Sequence, residues 1–502
     1  MEWDSEVSVY CNVDALVGAA RPVWSSRGET MTRQWFRFVG LAFVTALCAG
    51  GLAVSAGASV PRAAQGVDKD SIEVVVIVAD VDGLRAAGVN LAPTLTVANF
   101  TKGWEGYFDA LGKINGRSID VTTVTWDPAD PTSFERTCLE ATQDNQPLAV
   151  FNSAGYRAAS VGCITVDNDT FMFHGDALYE ELLEASGKNL VTLGITAEAA
   201  GGTGVELATE QGLLPKSAKV GLLSGNDPGM KAAGDAAERA LDKAKYTVAQ
   251  KTELNVVGQD TAAGQRDAAA SVATMRAAGV DHVIVTIPFN YSQAFFDEAT
   301  KSGAGFQYML IDSAAQQCAM FGASRVPAPV ADAGVLCVTP WDTRALPTLD
   351  GVKPDNAFEA KCRERHAAMF NSTPAPGSPP GGVTDVEGTT FSDDFSAANC
   401  TMVSLFGKAL KKAGKDPTSE KLYDALLSIK RAPAAYMSNG EGGFDKNKPY
   451  FANEVHLVTL NRAGNTTPKD ANGLYAGCPA PVNCWVPQLV DGTEWFSVQE
   501  AS

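Results

Sequence analysis

The stretch that most constrains this chain runs from Ile114 to Asp127, INGRSIDVTTVTWD, where an apolar-periodic segment gives way to an alternating one through a short polar turn. Asn115 and Gly116 tolerate the left-handed backbone that a helix C-terminus requires. The pattern therefore predicts a helix over Phe100 to Ile114 and a strand over Ile119 to Trp126. Upstream, Ile72 to Ala79 (IEVVVIVA) reads as a buried strand. Downstream come a polar helix, Pro131 to Asn145, and a short apolar strand, Pro147 to Asn152. Strand, helix, strand, helix, strand in that order implies a parallel, doubly wound sheet.

The alternation continues along the chain. Thr170 to His174 and Leu190 to Thr196 read as strands, and the glycine cluster Ala200 to Gly204 follows them. A new series starts at Lys219 to Ser224, and the loop GNDPG (Gly225 to Gly229) opens a helix over Met230 to Ala244. Strands are expected at Tyr246 to Leu254, His282 to Ile287 and Phe306 to Ile311, with helices at Asp267 to Ala278 and Ser292 to Ser302. Ala357 to Phe370 is helical by pattern. Asn371 to Gly382 (NSTPAPGSPPGG) is too rich in Pro, Gly and Ser for regular structure and reads as a surface insertion. Phe395 to Ala413 and Ser419 to Leu427 are further helices, and Gly440 to Asp445 with the strand Asn453 to Leu460 reads as a closing hairpin.

Four of these features together resemble one family. They are the INGR turn between helix and strand, the helix end Ala277-Ala278-Gly279-Val280-Asp281 before an apolar strand, the late helix FSAANCTMVSLFGKALKKA and the closing GEGGFD. In this order and spacing, over about residues 70 to 460, the chain resembles the type I periplasmic solute-binding proteins of branched-chain amino acid ABC importers. The resemblance implies an α/β fold of two doubly wound Rossmann-like lobes joined by a multi-strand hinge. Lobe one would hold 68–195 and a return over 341–432, with the insertion at 371–382; lobe two would hold 196–340 and 433–502. Hinge strands are expected near Thr196, Thr339 and Ala432, with Val335 to Trp341 carrying the chain back. The implied partners are a small-molecule ligand and a membrane ABC permease, for a monomer with no cofactor and no enzymatic activity.

Export is written at the N-terminus. Arg33 and Arg37 form a basic region after Met31, Phe38 to Ala56 is apolar, and small residues surround Ala56 to Ser59, so residues 31–58 read as a signal peptide. Residues 1–30 are then expected to be a non-native extension, with translation starting at Met31 and a mature N-terminus near 57–66. The alternative is a cytosolic tail before a membrane anchor, which Gly40, Gly50, Gly51 and Gly57 weaken. Lipid attachment at Cys48 is not expected, because Leu47 precedes it where a small residue is needed. The expected location is secreted, periplasmic or in the cell envelope.

The cysteines fit an oxidising compartment. Of ten in the chain, all but Cys11 and Cys48 lie past the signal. Sequence alone leaves on the order of a hundred pairings open. Nearest-neighbour pairing joins Cys138 to Cys163, Cys318 to Cys337, Cys362 to Cys400 and Cys478 to Cys484, each inside one expected lobe. The first of these matches the family, whose members commonly staple the second helix to the loop before the fourth strand. A metal site is not indicated: there is no CxxC, and the chain has four His.

Ligands of open parallel sheets lie beyond the carboxyl ends of the strands, near helix N-termini with free N–H groups. In the first lobe those ends are Asp80 to Gly83, Asn152 to Gly155 and His174 to Asp176. The resemblance implies that Ser153, with the N–H groups of Ala154 and Gly155, holds a ligand carboxylate; Asn152 or Ser153 acting as a plain helix cap is the alternative. His174 is either a ligand contact or a hydrogen-bonded structural residue. In the second lobe the candidates are Asn226 and Asp227, Asn290 and Tyr291, and Asp312 and Ser313. Asp312 is placed to meet a ligand ammonium, with a turn or cap role equally open. The family's Asp-x-Tyr-Gly is here Asp227-Pro228-Gly229, so one aromatic wall is missing, and the glutamate typical of branched-chain amino acid binders is not evident. Trp104, Tyr107 and Phe108 read as core at helical spacing; Trp126 stays open.

Other functional classes fit this sequence less well. A net charge of −18 argues against nucleic acid and anionic membrane surfaces as partners. A secreted hydrolase would need a nucleophile and base, and no GxSxG, HExxH or paired-acid motif has a convincing context. A ligand-binding sensor could share the fold, and a receptor would carry a membrane span after the second lobe, where none is seen before Ser502.

Overall fold

Strand β1, Ser71–Ala79, is the spine of the first sheet. It pairs in parallel with β2, Ser118–Trp126, from Ser71 opposite Ser118 to Ala79 opposite Trp126, and on its other edge with β3, Ala149–Asn152. Strands β4, Met172–His174, and β5, Leu190–Thr192, complete the parallel order β2-β1-β3-β4-β5. A short helix α1, Val81–Ala86, follows β1; Val74, Val76 and Val78 pack with helix α2, Val97–Asp109, and the helix Ser396–Ala413, and Val75 and Ile77 pack with α3, Ser133–Leu139, and α4, Ala158–Gly162. Both faces being covered is why the run from Val74 to Ala79 is continuously apolar instead of alternating.

The computed structural model describes residues 65–86, 95–127, 130, 132–153, 155–156, 158–256, 261–287, 289–312, 318, 326–342, 356–370, 373–374, 383–384, 390–391, 396–461 and 484–498. The expected extension 1–30, the expected signal 31–58, Ala154, Cys478 and most of 371–382 lie outside them, as do the side chains of Asn290 and Cys484. The described residues belong to one compact unit.

The INGR turn does a different job from the one its residues suggest. Helix α2 is capped by Thr96, whose Oγ1 accepts from the Asn99 N–H at 3.1 Å, and it ends at Asp109, well before Ile114. Gly112 (φ 62°) ends that turn, and Asn115 (φ 51°) and Gly116 (φ 92°) form a tight loop closed by a bridge between Ile114 and Arg117. The Asn115 amide then donates to the carbonyls of Leu410 at 3.2 Å and Gly414 at 2.8 Å. Leu410 lies in the last turn of the helix Ser396–Ala413 and Gly414 just past its end, where an α-helix runs out of intrahelical donors. The turn thus caps a helix 295 positions further along the chain. Beyond β2, α3 runs into a π turn, Glu140–Asp144, where one continuous helix was expected.

After helix α5, Glu180–Ser186, and β5, the chain enters a second sheet through α6, Ala197–Glu210. The glycine cluster Ala200 to Gly204 is therefore helical, and Thr196, expected near a hinge strand, is the N-cap of this helix, accepting from the Ala199 N–H at 3.1 Å. The glycines serve close packing on α7, Pro228–Lys243: a Cβ at Gly201 would stand 2.1 Å from the Ala233 carbonyl oxygen. Strands β6 (Val220–Gly225), β7 (Val248–Leu254), β8 (His282–Val285), β9 (Gln307–Ile311) and β10 (Val335–Thr339) run parallel in the order β10-β9-β8-β6-β7. Helices α6 and α7 cover one face; α8, Thr261–Ala277, and α9, Phe289–Lys301, cover the other. The strand Glu454–Asn461 adds antiparallel to β10 and carries Cys484–Pro487 and Trp495–Ser497 on its far edge.

The two sheets are joined by a braid of segments. Thr196 bridges Leu178, Tyr450 bridges Thr192, and Trp341 bridges Met437. The Ser438 N–H donates to the Pro340 carbonyl at 2.7 Å, and its hydroxyl accepts from the N–H groups of Asn453 and Glu454 at 2.9 and 2.8 Å. Between these crossings the helices Ala357–Met369 and Ser396–Ala413 lie against α2 on the first sheet. Two expectations need correcting. Glu441–Gly442 pairs with Ala432–Pro433, not with the strand that follows it. Residues Thr373–Pro374, inside the supposedly irregular insertion, form a small antiparallel sheet with Val383–Thr384 and Thr390–Phe391, because extended backbone suits the prolines there.

Candidate ligand-binding cleft

The carboxyl ends of β1, β3 and β4 form one lip, and its polar groups are spent on one another. Asn152 is buried, donating from Nδ2 to the Ile77 carbonyl at 2.9 Å and accepting from the Tyr156 N–H at 3.4 Å. Its side chain joins β3 to β1. Ser153 is buried as well, and its carbonyl oxygen is pressed so close to Gly175 that a Cβ there would stand 1.8 Å away. Gly155 adopts φ 82°, against the Trp126 ring, and its N–H donates to the Asp176 carboxylate at 2.7 Å.

His174 holds the floor of this lip. Its Nδ1 accepts from the Asp176 N–H at 3.2 Å and its Nε2 faces the Tyr156 carbonyl at 3.1 Å. An Nε2–H tautomer satisfies both contacts. Burial lowers its pKa to about 4, so the ring is neutral at physiological pH. Its hydrogen bonds therefore serve the loop.

The second lip is built from the ends of β6, β8 and β9. Asp227 caps α7, accepting from the Gly229 N–H at 2.9 Å, and Asn226 pairs with Asn255 at 3.0 Å. Asp312 is buried; its carboxylate accepts from the Thr339 hydroxyl at 2.6 Å, and its N–H donates to Val338 at 3.0 Å. It is thereby bonded to the end of β10. Tyr291, in the first turn of α9, donates to the Val256 carbonyl at 3.3 Å and lies over Gly264, which places it between helices. Asn290 precedes it on the same helix.

The lips meet at the mouth. A Cβ on Gly229 of α7 would stand 3.6 Å from the Tyr179 ring and 3.8 Å from Ala158, both on the first lobe. Tyr179 is half-buried; desolvation first, then the carboxylates of Asp227, Glu181 and Glu198, raise its pKa and keep the phenol protonated. The sequence pattern does not single Tyr179 out as a residue of this mouth; its only local signal is a tyrosine just past the short strand MFH. Two cavities lie away from the cleft. One of about 670 Å³ is an open groove along α3, and one of about 170 Å³ is at the amino ends of β8, β9 and β10. Neither is where an open sheet presents N–H groups to a ligand.

The family described as "Periplasmic binding protein" matches residues 96–465. This chain belongs to the periplasmic binding proteins. The solved structures agree on the fold. One is a solute-binding protein of an ABC transporter from Rhodopseudomonas palustris BisB5 with 3,4-dihydroxybenzoic acid: TM-score 0.55 at 12% identity, covering 86% of this chain and 99% of that one. A branched-chain amino acid ABC transporter protein from Thermus thermophilus with bound valine gives 0.54 at 13% identity, with 86% and 97% covered. A fatty acid substrate-binding protein from Thermomonospora curvata gives 0.54 at 16% identity, with 79% and 90% covered. No curated protein sequence matches.

In this periplasmic binding protein three disulfides are present among the described residues. They join Cys138 to Cys163, Cys318 to Cys337 and Cys362 to Cys400, with Cα atoms 6.2, 6.3 and 5.9 Å apart. Cys138 and Cys163 tie α3 to the π turn before β4, and Cys362 and Cys400 join the two returning helices. Among the described residues no group of His, Cys, Asp and Glu is arranged to hold a metal, and no helix is long and apolar enough to cross a membrane.

Proposed function

We propose that this protein is the extracytoplasmic solute-binding component of an ABC importer, closing two lobes on a small polar metabolite, an amino acid, amide or related compound, and passing it to a membrane permease. The reading takes 68–195 with 341–432 as one lobe and 196–340 with 433–502 as the other, exported by 31–58 and acting as a monomer. One observation carries it: the strand ends of the two sheets meet across a hinge, with Tyr179 of one lip against Gly229 of the other. Family membership supports it, as do the small ligands named for the structures with the same fold.

A thermal-shift screen of the exported protein against amino acids, amides and short-chain acids identifies a ligand. Small-angle scattering then tests the mechanism. A saturating hit is expected to shrink the radius of gyration, with the segments near Thr339 and Ala432 as pivots. An unchanged radius at saturation would count against a clamshell carrier and favour a rigid sensor.

A further inference from the structure

We propose that the turn Tyr436 to Gly440 is a strained hinge element: its backbone carries the strain while the lips touch, opening of the cleft relaxes it, and the turn thereby sets how readily the lobes part. The proposal rests on the clamshell reading above and concerns the regulation of that movement, not the ligand. Its first support is conformation. Tyr436 (φ 51°), Ser438 (φ 47°) and Asn439 (φ 55°) are left-handed without being glycine, and Gly440 (φ 86°) follows them. In that region a Cβ crowds the backbone, most of all for a bulky residue such as tyrosine. Three such residues stand within four positions, and only Asn439 is of a type that visits this region readily.

Its second support is what holds the turn, since such strain persists only where the surroundings over-determine the backbone. At the base, Ala432–Pro433 pairs with Glu441–Gly442, and the Ala434 N–H donates to the Gly440 carbonyl at 2.9 Å. On the side of the returning helices, the Ala435 N–H donates to the Thr401 hydroxyl at 3.1 Å and the Tyr436 N–H to the Glu359 carboxylate at 3.2 Å, while Arg363 Nη2 donates to the Tyr436 hydroxyl. Glu359 is itself fixed, because its carboxylate also accepts from the Asn356 N–H at 2.7 Å in the capping box of the helix Ala357–Met369. Glu359, Arg363 and Tyr436 are all buried.

The third support is where the strain sits. Trp341 bridges Met437, the Asp342 N–H donates to the Tyr436 carbonyl at 2.8 Å, and the Ser438 N–H donates to the Pro340 carbonyl at 2.7 Å. The Ser438 hydroxyl accepts from the N–H groups of both Asn453 and Glu454. The left-handed residues are thus bonded directly to two of the segments that pass between the sheets, whose φ and ψ must change if the lobes rotate. Movement of 340–342 against 453–454 acts on Ser438 from both sides. With Gly229 against Tyr179 the lips are in contact, so the strained form belongs to the closed arrangement, and strain in it favours opening.

Small-angle scattering of the exported protein without ligand, fitted as a mixture of open and closed lobe arrangements, tests this on matched pairs of variants. Asn439 is exposed, and its amide hydrogen-bonds the Glu454 carboxylate. Asn439→Gly and Asn439→Ala both remove that amide and differ only in the Cβ that makes a left-handed backbone costly. The ratio of open to closed molecules is expected to be lower by about fivefold or more in Asn439→Gly than in Asn439→Ala. Ser438→Gly and Ser438→Ala, which both lose the hydroxyl, should fall in the same order. Should either substitution of the buried Ser438 fail to fold, the pair at the exposed Asn439 carries the comparison. Equal ratios within the folded pairs, or the reverse order, overturn the proposal. That result leaves the clamshell reading standing, because the change of radius on adding ligand to the unaltered protein decides it separately.

Discussion

The two lips of the cleft are held by different means. In lobe one, Asn152, Gly155, His174 and Asp176 bond to one another and to the strands beneath them, within a single sheet. In lobe two, Asp312 is bonded to Thr339 at the end of β10, next to the segment that leaves for the other lobe. The first lip is fixed by its own sheet, whereas the second is coupled to the hinge. On the proposed clamshell reading, pre-organisation of one jaw and gearing of the other keeps a recognition surface constant while the lobes close.

The largest effect expected from disturbing this arrangement is in the lobe-one core. Phe151 is fully buried, with ring centroids 5.2 Å from Phe108, 5.0 Å from Phe406 and 5.9 Å from Trp104, and Asn152 follows it directly on β3. Phe151→Ala should cost about 3 to 5 kcal/mol in denaturant unfolding. A loss below about 1 kcal/mol would break the claim that this lip stands on a rigid aromatic base.

The next effect is a pH dependence of lobe one. His366 is buried between the rings of Tyr107 and Phe370, neither ring nitrogen has a hydrogen-bond partner, and burial lowers its pKa to about 4. The unfolded chain takes up the proton near pH 6.5, whereas the folded chain resists until about pH 4. The stability associated with this group is therefore complete above pH 6.5 and is lost as pH falls toward 4. His366→Phe, which keeps the stacking and removes the titration, should flatten that slope. The difference between unaltered protein and variant should change by about 3 kcal/mol across the window. His174, neutral for the same reason, adds a parallel slope that remains in the variant. Parallel stability curves for the two proteins would show that His366 does not titrate as a buried group.

The smallest effect sharpens the other half of the comparison. Thr339→Val removes the hydroxyl that bridges Asp312 and the Trp341 N–H, and should cost about 1 to 3 kcal/mol, with Thr339→Ser restoring most of it. Scattering should also show a changed spread of lobe separations for Thr339→Val. Stability loss without any such change would reduce Thr339 to a local brace and dissolve the contrast between the lips.

Legibility of the molecule followed the range of the forces involved. The run Ile72 to Ala79 showed its burial on two faces directly, and Trp104, Tyr107 and Phe108 showed theirs by spacing. The glycines of Ala200 to Gly204 were misleading: in isolation they weaken a helix, and only contact with Ala233 explains why a helix forms there. Tyr179 could not be recognised, since nothing local distinguishes a tyrosine that meets the opposite lobe from one on an open surface.

Sequence alone determined the order and direction of the strands, which faces are buried, and that the carboxyl ends of two sheets are where a ligand would be sought. These follow from side-chain period and local turn chemistry, which act over a few residues. Tertiary structure decided how the polar groups at those ends are used. Asn115 was legible as a turn residue, but its amide caps a helix 295 positions away. Asp176 was legible as a strand-end acid, but it faces the N–H of Gly155, 21 positions back. Which donor meets which acceptor across such distances depends on how the sheet brings loops together, and no local propensity encodes that pairing.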